Sequence, residues 1–72
     1  MDHPPLIDIT INGHSRNFVP GTNLRECVER YSEVRARGAV FINKKFIPKD
    51  QYDSTAVHQG DCVNIVYFLG GG

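Results

Sequence analysis

The feature that most constrains the fold is the end of the sequence, where a strongly apolar segment passes directly into three glycines. Residues 63–69 are β-branched, aromatic or otherwise apolar except for Asn64, a composition typical of a strand buried near the centre of a sheet. Gly70, Gly71 and Gly72 lack a Cβ, so they can extend, turn and enter a channel too narrow for other residues. Terminal glycines also occur as frayed ends or cloning scars. Because an apolar strand rather than a polar linker precedes them, we expect residues 70–72 to be a flexible functional tail.

Length, charge and cysteine content exclude several classes of protein. The chain has 72 residues, which predicts one domain over residues 1–69, with residues 1–5 as a loose lead-in. Eight basic and eight acidic residues give a net charge of zero, so we expect no nucleic-acid or anionic-membrane partner. No apolar run reaches membrane-spanning length, and the first residues do not resemble a signal peptide. Cys27 and Cys62 form no CxxC pair, which favours a reducing, cytoplasmic location.

The first part of the chain predicts a β-hairpin followed by one helix. Isoleucines alternate with polar residues over residues 6–12, as in a half-buried strand. Asn12-Gly13 is the strongest short signal for a type I′ turn, and a return strand follows. Asn23 is placed to cap a helix, with Glu26 positioned as in a capping box. We expect this helix to end near Ser32 and to present one apolar stripe to the sheet, formed by Leu24, Cys27, Val28 and Tyr31.

The second part predicts three further strands. One covers residues 39–43, a turn at 43–45 leads to a short return strand, and Gly38 is expected to close the connection from the helix. A polar loop over residues 49–56, with one helical turn, leads to a turn at 58–61 and then to the last strand.

The resulting order is β-β-α-β-β-β, with apolar first and last strands separated by the helix. A right-handed crossover then places these two strands side by side and parallel in the middle of the sheet. We therefore predict an α+β fold of the β-grasp, or ubiquitin-like, type, in which a mixed four- to five-stranded sheet carries one helix across it.

Three segments of the sequence resemble the ThiS-type sulfur carriers of thiamin biosynthesis, in the ubiquitin-like ThiS/MoaD family. Residues 40–49, Val-Phe-Ile-Asn-Lys-Lys-Phe-Ile-Pro-Lys, resemble the strand, Asn turn, Ile/Val-Pro and basic residue of these proteins. Gly60-Asp61, the following Ile/Val strand and the terminal glycines are similar to the end of the family, and the helix start over residues 21–28 also fits. The resemblance extends from about Ile7 to Gly72.

The resemblance implies a carrier protein rather than an enzyme, with no bound cofactor, metal site or catalytic residue of its own. A ThiF- or MoeB-like activating enzyme would use ATP to convert the Gly72 carboxylate to a glycyl adenylate. Gly71 and Gly70 would let Gly72 enter the buried nucleotide pocket of that enzyme. A cysteine desulfurase or rhodanese-type donor would supply sulfur, which leaves a thiocarboxylate at Gly72. A ThiG-like thiazole synthase would then accept the sulfur. By itself the protein is expected to be a monomer.

Strand alternation predicts an apolar patch near the tail. If Val40 and Ile42 face the core, Phe41 faces outward, and the same reasoning sends Val66 and Phe68 outward from the last strand. Because these two strands are neighbours in a β-grasp, Phe41, Val66 and Phe68 would form an exposed patch for a partner enzyme. The alternative is that the loop over residues 49–56 covers them.

The remaining chemistry-bearing residues have structural interpretations. Cys27 lies on the apolar stripe of the helix and is expected to be buried, while Cys62 lies beside the acidic Asp61, which does not favour a thiolate. The histidines have no metal-ligand spacing.

Three alternative functions stay open at the level of sequence. The chain is also compatible with a sulfur carrier of the molybdopterin-synthase small-subunit type and with a ubiquitin-like modifier that is conjugated through Gly72. The third alternative is a β-grasp interaction module whose tail has no function.

Overall fold

Five strands and one α-helix make up the part of the chain that the structure describes. The computed structural model describes residues 5–31 and 37–68, and for Arg37 and Phe68 it describes the main chain only. The strands are β1 (Ile7–Ile11), β2 (His14–Phe18), β3 (Arg37–Ile42), β4 (Lys45–Ile47) and β5 (Cys62–Phe68), the helix is α1 (Leu24–Tyr31), and a single 3₁₀ turn covers Lys49–Gln51.

The strands form one mixed sheet in the order β2-β1-β5-β3-β4. Strands β1 and β5 are parallel, whereas the β1–β2, β3–β4 and β3–β5 pairs are antiparallel. The first and last strands are therefore central neighbours, as the crossover argument predicts. The α+β class, the β-grasp topology and the five-stranded mixed sheet are confirmed.

Both hairpins turn through an asparagine in the left-handed region. Asn12 and Gly13 have φ angles of 52° and 83°, which confirms the predicted type I′ geometry. The second turn uses Asn43 and Lys44, with φ angles of 51° and 72°. Lys45 already pairs with Ile42, so this turn has two residues rather than the three predicted.

Helix α1 begins and packs as its sequence predicts. The main-chain N–H of Glu26 donates to Oδ1 of Asn23 at 3.0 Å, which confirms Asn23 as the cap. The Glu26 carboxylate does not accept the N–H of Asn23 in return, so only half of the predicted capping box forms between these two described residues. Leu24 and Cys27 are completely buried, and Val28 and Tyr31 are partly buried against the same core. This core lies between the helix and one face of the sheet, and its other buried members are Ile9, Ile11, Phe18, Val40, Ile47, Val57, Val63 and Ile65.

The loop before β5 packs against the start of the helix. The N–H of Leu24 donates to the carbonyl of Thr55 at 2.7 Å, and the guanidinium of Arg25 pairs with Asp53. Val57 is 1% exposed and anchors the loop to the core. The loop therefore lies on the helix side of the sheet. Within residues 5–31 and 37–68, no helix is long and apolar enough to cross a membrane.

Candidate functional site at the end of strand β5

Strand β5 is both the central strand of the sheet and the segment that leads to the glycines. Val63 and Ile65 are 0% and 6% exposed, and the partly buried Tyr67 packs against the same core. Its pairing with β3 is regular over six residue pairs, from Ile42 opposite Val63 to Arg37 opposite Phe68. The root of the tail is therefore held along one edge over the whole strand.

On its other edge, β5 is held by a side chain as well as by a strand. The parallel register with β1 contains only Thr10 opposite Cys62 and Ile11 opposite Val63. Beyond these pairs, the N–H of Ile65 donates to Oδ1 of Asn12 at 2.7 Å, and Nδ2 of Asn12 donates to the carbonyl of Ile65 at 3.3 Å. The Asn12 carboxamide thus occupies the place of the next main-chain peptide in the ladder.

A second asparagine carboxamide fixes the start of β5. Oδ1 of Asn43 accepts the N–H of Cys62 at 2.9 Å, while the N–H of Asn43 donates to the carbonyl of Cys62 at 2.8 Å. Nδ2 of Asn43 donates to Oδ1 of Asp61 at 3.0 Å, and Oδ2 of Asp61 accepts the N–H of His58 at 2.8 Å. Sequence reasoning assigned Asn12 and Asn43 to turns alone, because their bonding partners lie far away in the chain.

Gly38 lies inside β3, and the expectation that it closes the helix connection is wrong. It lies opposite Tyr67, where a Cβ would be 2.5 Å from the main-chain oxygen of Val66. This distance is shorter than any normal contact, so the glycine permits the close approach of β3 to the last residues of β5. The sequence shows a glycine at this position, but the need for it follows from the register between two strands that are far apart in the chain.

The outward face of the sheet carries two of the three predicted apolar residues, together with one that the sequence analysis missed. Phe41 is partly buried and Val66 is 48% exposed, while Phe68 is described by its main chain only. Phe46 pairs with Phe41 in the register, is 53% exposed, and packs edge-on against it with ring centroids 5.7 Å apart. We call Phe41, Phe46 and Val66 the outer patch. The loop over residues 49–56, which was the alternative cover for these residues, packs on the opposite, helix side of the sheet.

The two cysteines differ in environment. Burial, assisted by the nearby charge of Glu26, raises the pKa of the Cys27 thiol to about 11, so this thiol is protonated and unreactive near neutral pH. Cys62 is exposed, and its Sγ lies 3.5 Å from Oδ1 of Asn64. In the described part of the chain, no three His, Cys, Asp or Glu side chains are grouped to hold a metal ion.

The predicted sulfur-carrying residues Gly70, Gly71 and Gly72 lie outside the described residues. The structure therefore positions the root of the site, which is strand β5 through Phe68.

Comparison with known proteins identifies the family. The sequence profile of the ThiS family matches residues 9–72. The crystal structure of the thiamine biosynthesis protein ThiS from Geobacter metallireducens superposes with a TM-score of 0.76 at 28% identity, covering 92% of this chain and 100% of that protein. A protein named thiazole synthase from Paramagnetospirillum magneticum is 34% identical over 64 residues, which are 89% of this chain but only 20% of the synthase. The chain belongs to the ThiS family.

Proposed function

We propose that this protein is a sulfur carrier that donates sulfur for thiazole formation in thiamin biosynthesis. The observation that carries the proposal is the construction of β5. This strand is fixed at the centre of the sheet by β3 and by Asn12, and it leads directly toward a glycine segment that the ThiS family profile covers through Gly72.

The proposed reacting group is the carboxylate of Gly72. A carboxylate is a poor electrophile because its charge is delocalised and its leaving group would be oxide. Attack of one carboxylate oxygen on the α-phosphorus of ATP, with loss of pyrophosphate, gives a glycyl adenylate in which AMP is a good leaving group. A persulfide sulfur then displaces AMP to form an acyl disulfide, and a thiol cleaves this reductively to leave a thiocarboxylate.

In this scheme the protein is a co-substrate and its partners supply the catalysis, as for other group carriers. A ThiF- or MoeB-like enzyme carries out the adenylation, and a cysteine desulfurase or rhodanese-type protein supplies the persulfide. Cys27 and Cys62 are not required, and the buried, protonated thiol of Cys27 is unsuited to this chemistry.

The outer patch is the surface that we assign to the activating enzyme. Phe46 and Val66 are each about half exposed, at 53% and 48%, and the ring of Phe41 packs edge-on against that of Phe46. Aromatic side chains at the centre of an interface commonly contribute about 2 kcal/mol or more to binding. The patch includes Val66 of β5, so an enzyme docked there would contact the strand that leads to the tail.

The similarity to a segment of a thiazole synthase favours thiazole as the destination of the sulfur over molybdopterin or over conjugation to a lysine. The test is to incubate the protein with ATP, a ThiF-like enzyme and a persulfide donor, and to measure its intact mass. The C-terminal peptide should gain the mass difference of sulfur for oxygen, and the loaded protein should support turnover by a thiazole synthase. A mass gain on a lysine conjugate would instead identify a protein modifier, and loading without thiazole formation would exclude the thiazole branch.

A further inference from the structure

On the side of β5 that faces β1, the strand extends beyond the last residue with which the described chain pairs. On the β1 side, the last main-chain pair is Ile11 with Val63, and the Asn12 carboxamide extends the ladder to Ile65. The chain then turns away at Asn12-Gly13 into β2. Strand β5, however, runs on to Phe68.

The direction of the Tyr67 peptide groups follows from the regular alternation of a strand. The N–H and carbonyl of Ile65 point toward β1, because both bond Asn12. Pairing with β3 has no bulge between Val63 and Phe68, so the alternation is unbroken. The N–H and carbonyl of Tyr67 therefore also point to the β1 side, where no main-chain group of residues 5–31 or 37–68 pairs with them.

A strand edge that residues 5–31 and 37–68 leave unpaired is a template for an added strand. Main-chain groups at exposed edges pair readily with extended segments of other proteins, and this is a common mode of recognition. Among the described residues, the Asn12 carboxamide makes the last bonds on this edge, so an incoming strand has a defined place to begin. The Tyr67 side chain packs against the core, which leaves its peptide groups as the part of this residue that is offered at the edge.

We propose that an extended segment of thiazole synthase adds to this edge of β5, bonding the main chain of Tyr67 beyond Asn12. The inference rests on the proposed function. The synthase is the chosen occupant because a segment similar to this chain occurs within a protein of that name. Tyr67 directly precedes Phe68, the last described residue before the glycines, so a strand bound there would fix the point from which the tail starts.

The position of Cys62 makes a direct test practical. A thioester of residues 1–61 can be joined by native chemical ligation to a synthetic peptide of residues 62–72, which begins with Cys62. In the test protein, an ester replaces the amide between Val66 and Tyr67 and removes the Tyr67 N–H. In the matched control, an ester replaces the amide between Asn64 and Ile65 and removes the N–H that Asn12 accepts.

The two esters should have opposite effects. The Tyr67 ester should leave the melting temperature within about 2 °C of the unmodified ligated protein, because the N–H that it removes makes no hydrogen bond within the described part of the chain. It should weaken binding to thiazole synthase about three- to tenfold, the contribution of one hydrogen bond. The Ile65 ester should lower the melting temperature and leave synthase affinity unchanged. Loading of sulfur by the activating enzyme should be the same for the Tyr67 ester and the unmodified protein.

Amide hydrogen exchange on the natural chain gives a second readout. The Tyr67 amide should exchange rapidly in the free protein and become protected when thiazole synthase is added, while the Ile65 amide is protected in both states. If the unmodified protein neither loads sulfur nor binds the synthase, the proposed function fails, and this inference fails with it. If the unmodified protein binds but the Tyr67 ester binds equally well, strand addition alone is wrong. A defect of the Tyr67 ester in loading, without one in synthase binding, would assign the edge to the activating enzyme and overturn the proposal.

Discussion

Asn12 and Asn43 each do two things for the fold. Each occupies the first turn position of a hairpin with a φ angle near 50°, at 52° and 51°, which asparagine tolerates better than most residues. Each also turns its carboxamide onto the main chain of β5, Asn12 at Ile65 and Asn43 at Cys62. The side chains of two turn residues thus complete the hydrogen bonding of the central strand.

Replacing Asn12 with glycine should separate these two contributions. Asn12→Gly keeps the left-handed turn but removes both bonds to Ile65, so the free energy of unfolding should fall by about 1–3 kcal/mol. Lys44→Gly is the matched control, because it introduces the same backbone freedom at a φ angle of 72° in the other turn. This control should be neutral or stabilising by up to about 1 kcal/mol, since glycine relieves the strain of a positive φ. Equilibrium urea unfolding measures both, and equal stability of Asn12→Gly and the natural protein would show that the carboxamide bonds contribute nothing.

The buried thiol of Cys27 predicts a loss of stability at high pH. Burial raises its pKa from the ordinary 9.0 to about 11 in the folded protein, so the unfolded chain loses the proton first. The contribution of the protonated Cys27 thiol to the free energy of unfolding is therefore complete below pH 9. It declines between about pH 9 and 11, by at most about 1.4 kcal/mol per pH unit. Burial also raises the pKa of Tyr52, so the comparison must be made with a variant. Cys27→Ala should be less stable at pH 8 but show a shallower decline in unfolding free energy from pH 8 to 10.5, and an unchanged slope would contradict the argument.

At the scale of elements, the sequence predicts correctly the turn and the helix cap that depend on neighbouring residues. The Asn12-Gly13 turn and the Asn23 cap depend on residues within a few positions, and the structure confirms both. Features that depend on contacts between distant strands were not predictable. The sequence predicts Gly38 in a connection, because the contact that requires a glycine there is with the main-chain oxygen of Val66, on a strand far away in the sequence. Phe46 was missed because its outward direction follows from a two-residue turn that lacks the usual glycine.

The outer patch gives a prediction that separates binding from folding. Phe46 is 53% exposed and packs edge-on against Phe41. Phe46→Ala should therefore change the free energy of unfolding by less than about 1 kcal/mol, yet weaken binding to the activating enzyme about tenfold or more. Leu6→Ala is the control, because Leu6 is equally exposed at 54% but lies outside the patch. Binding by titration calorimetry that is equal for both variants would remove the patch from the interface.

At the scale of the whole molecule, the core and the sheet together hold the root of the tail. The core between helix and sheet includes Val63 and Ile65 of β5, and both edges of this strand are bonded as far as Ile65. The residues after Phe68 thus begin from a fixed point. In the proposed carrier, which would bring one carboxylate to several enzymes, the number of residues beyond that point sets the reach of the reacting atom.

Deletion of Gly72 tests this dependence on length. The last described core residue is Tyr67, so the deletion should leave the melting temperature unchanged. It shortens the reach by about 3.5 Å and leaves the carboxylate of Gly71 short of the α-phosphate of ATP. A displacement of about 1 Å already costs roughly a hundredfold in rate, so sulfur loading should fall at least that far.

Gly71→Val is the companion variant, because it keeps the length and adds a β-branched side chain. This variant should also fold normally but fail to load sulfur, since the valine side chain does not fit the narrow channel of the activating enzyme that we propose admits glycine. Intact mass after incubation with ATP, activating enzyme and persulfide donor measures both variants against the natural chain. If the shortened chain loads at the natural rate, the reacting carbon is not the Gly72 carboxyl. If the shortened chain fails but Gly71→Val loads normally, length controls the reaction and the channel imposes no limit on side-chain size.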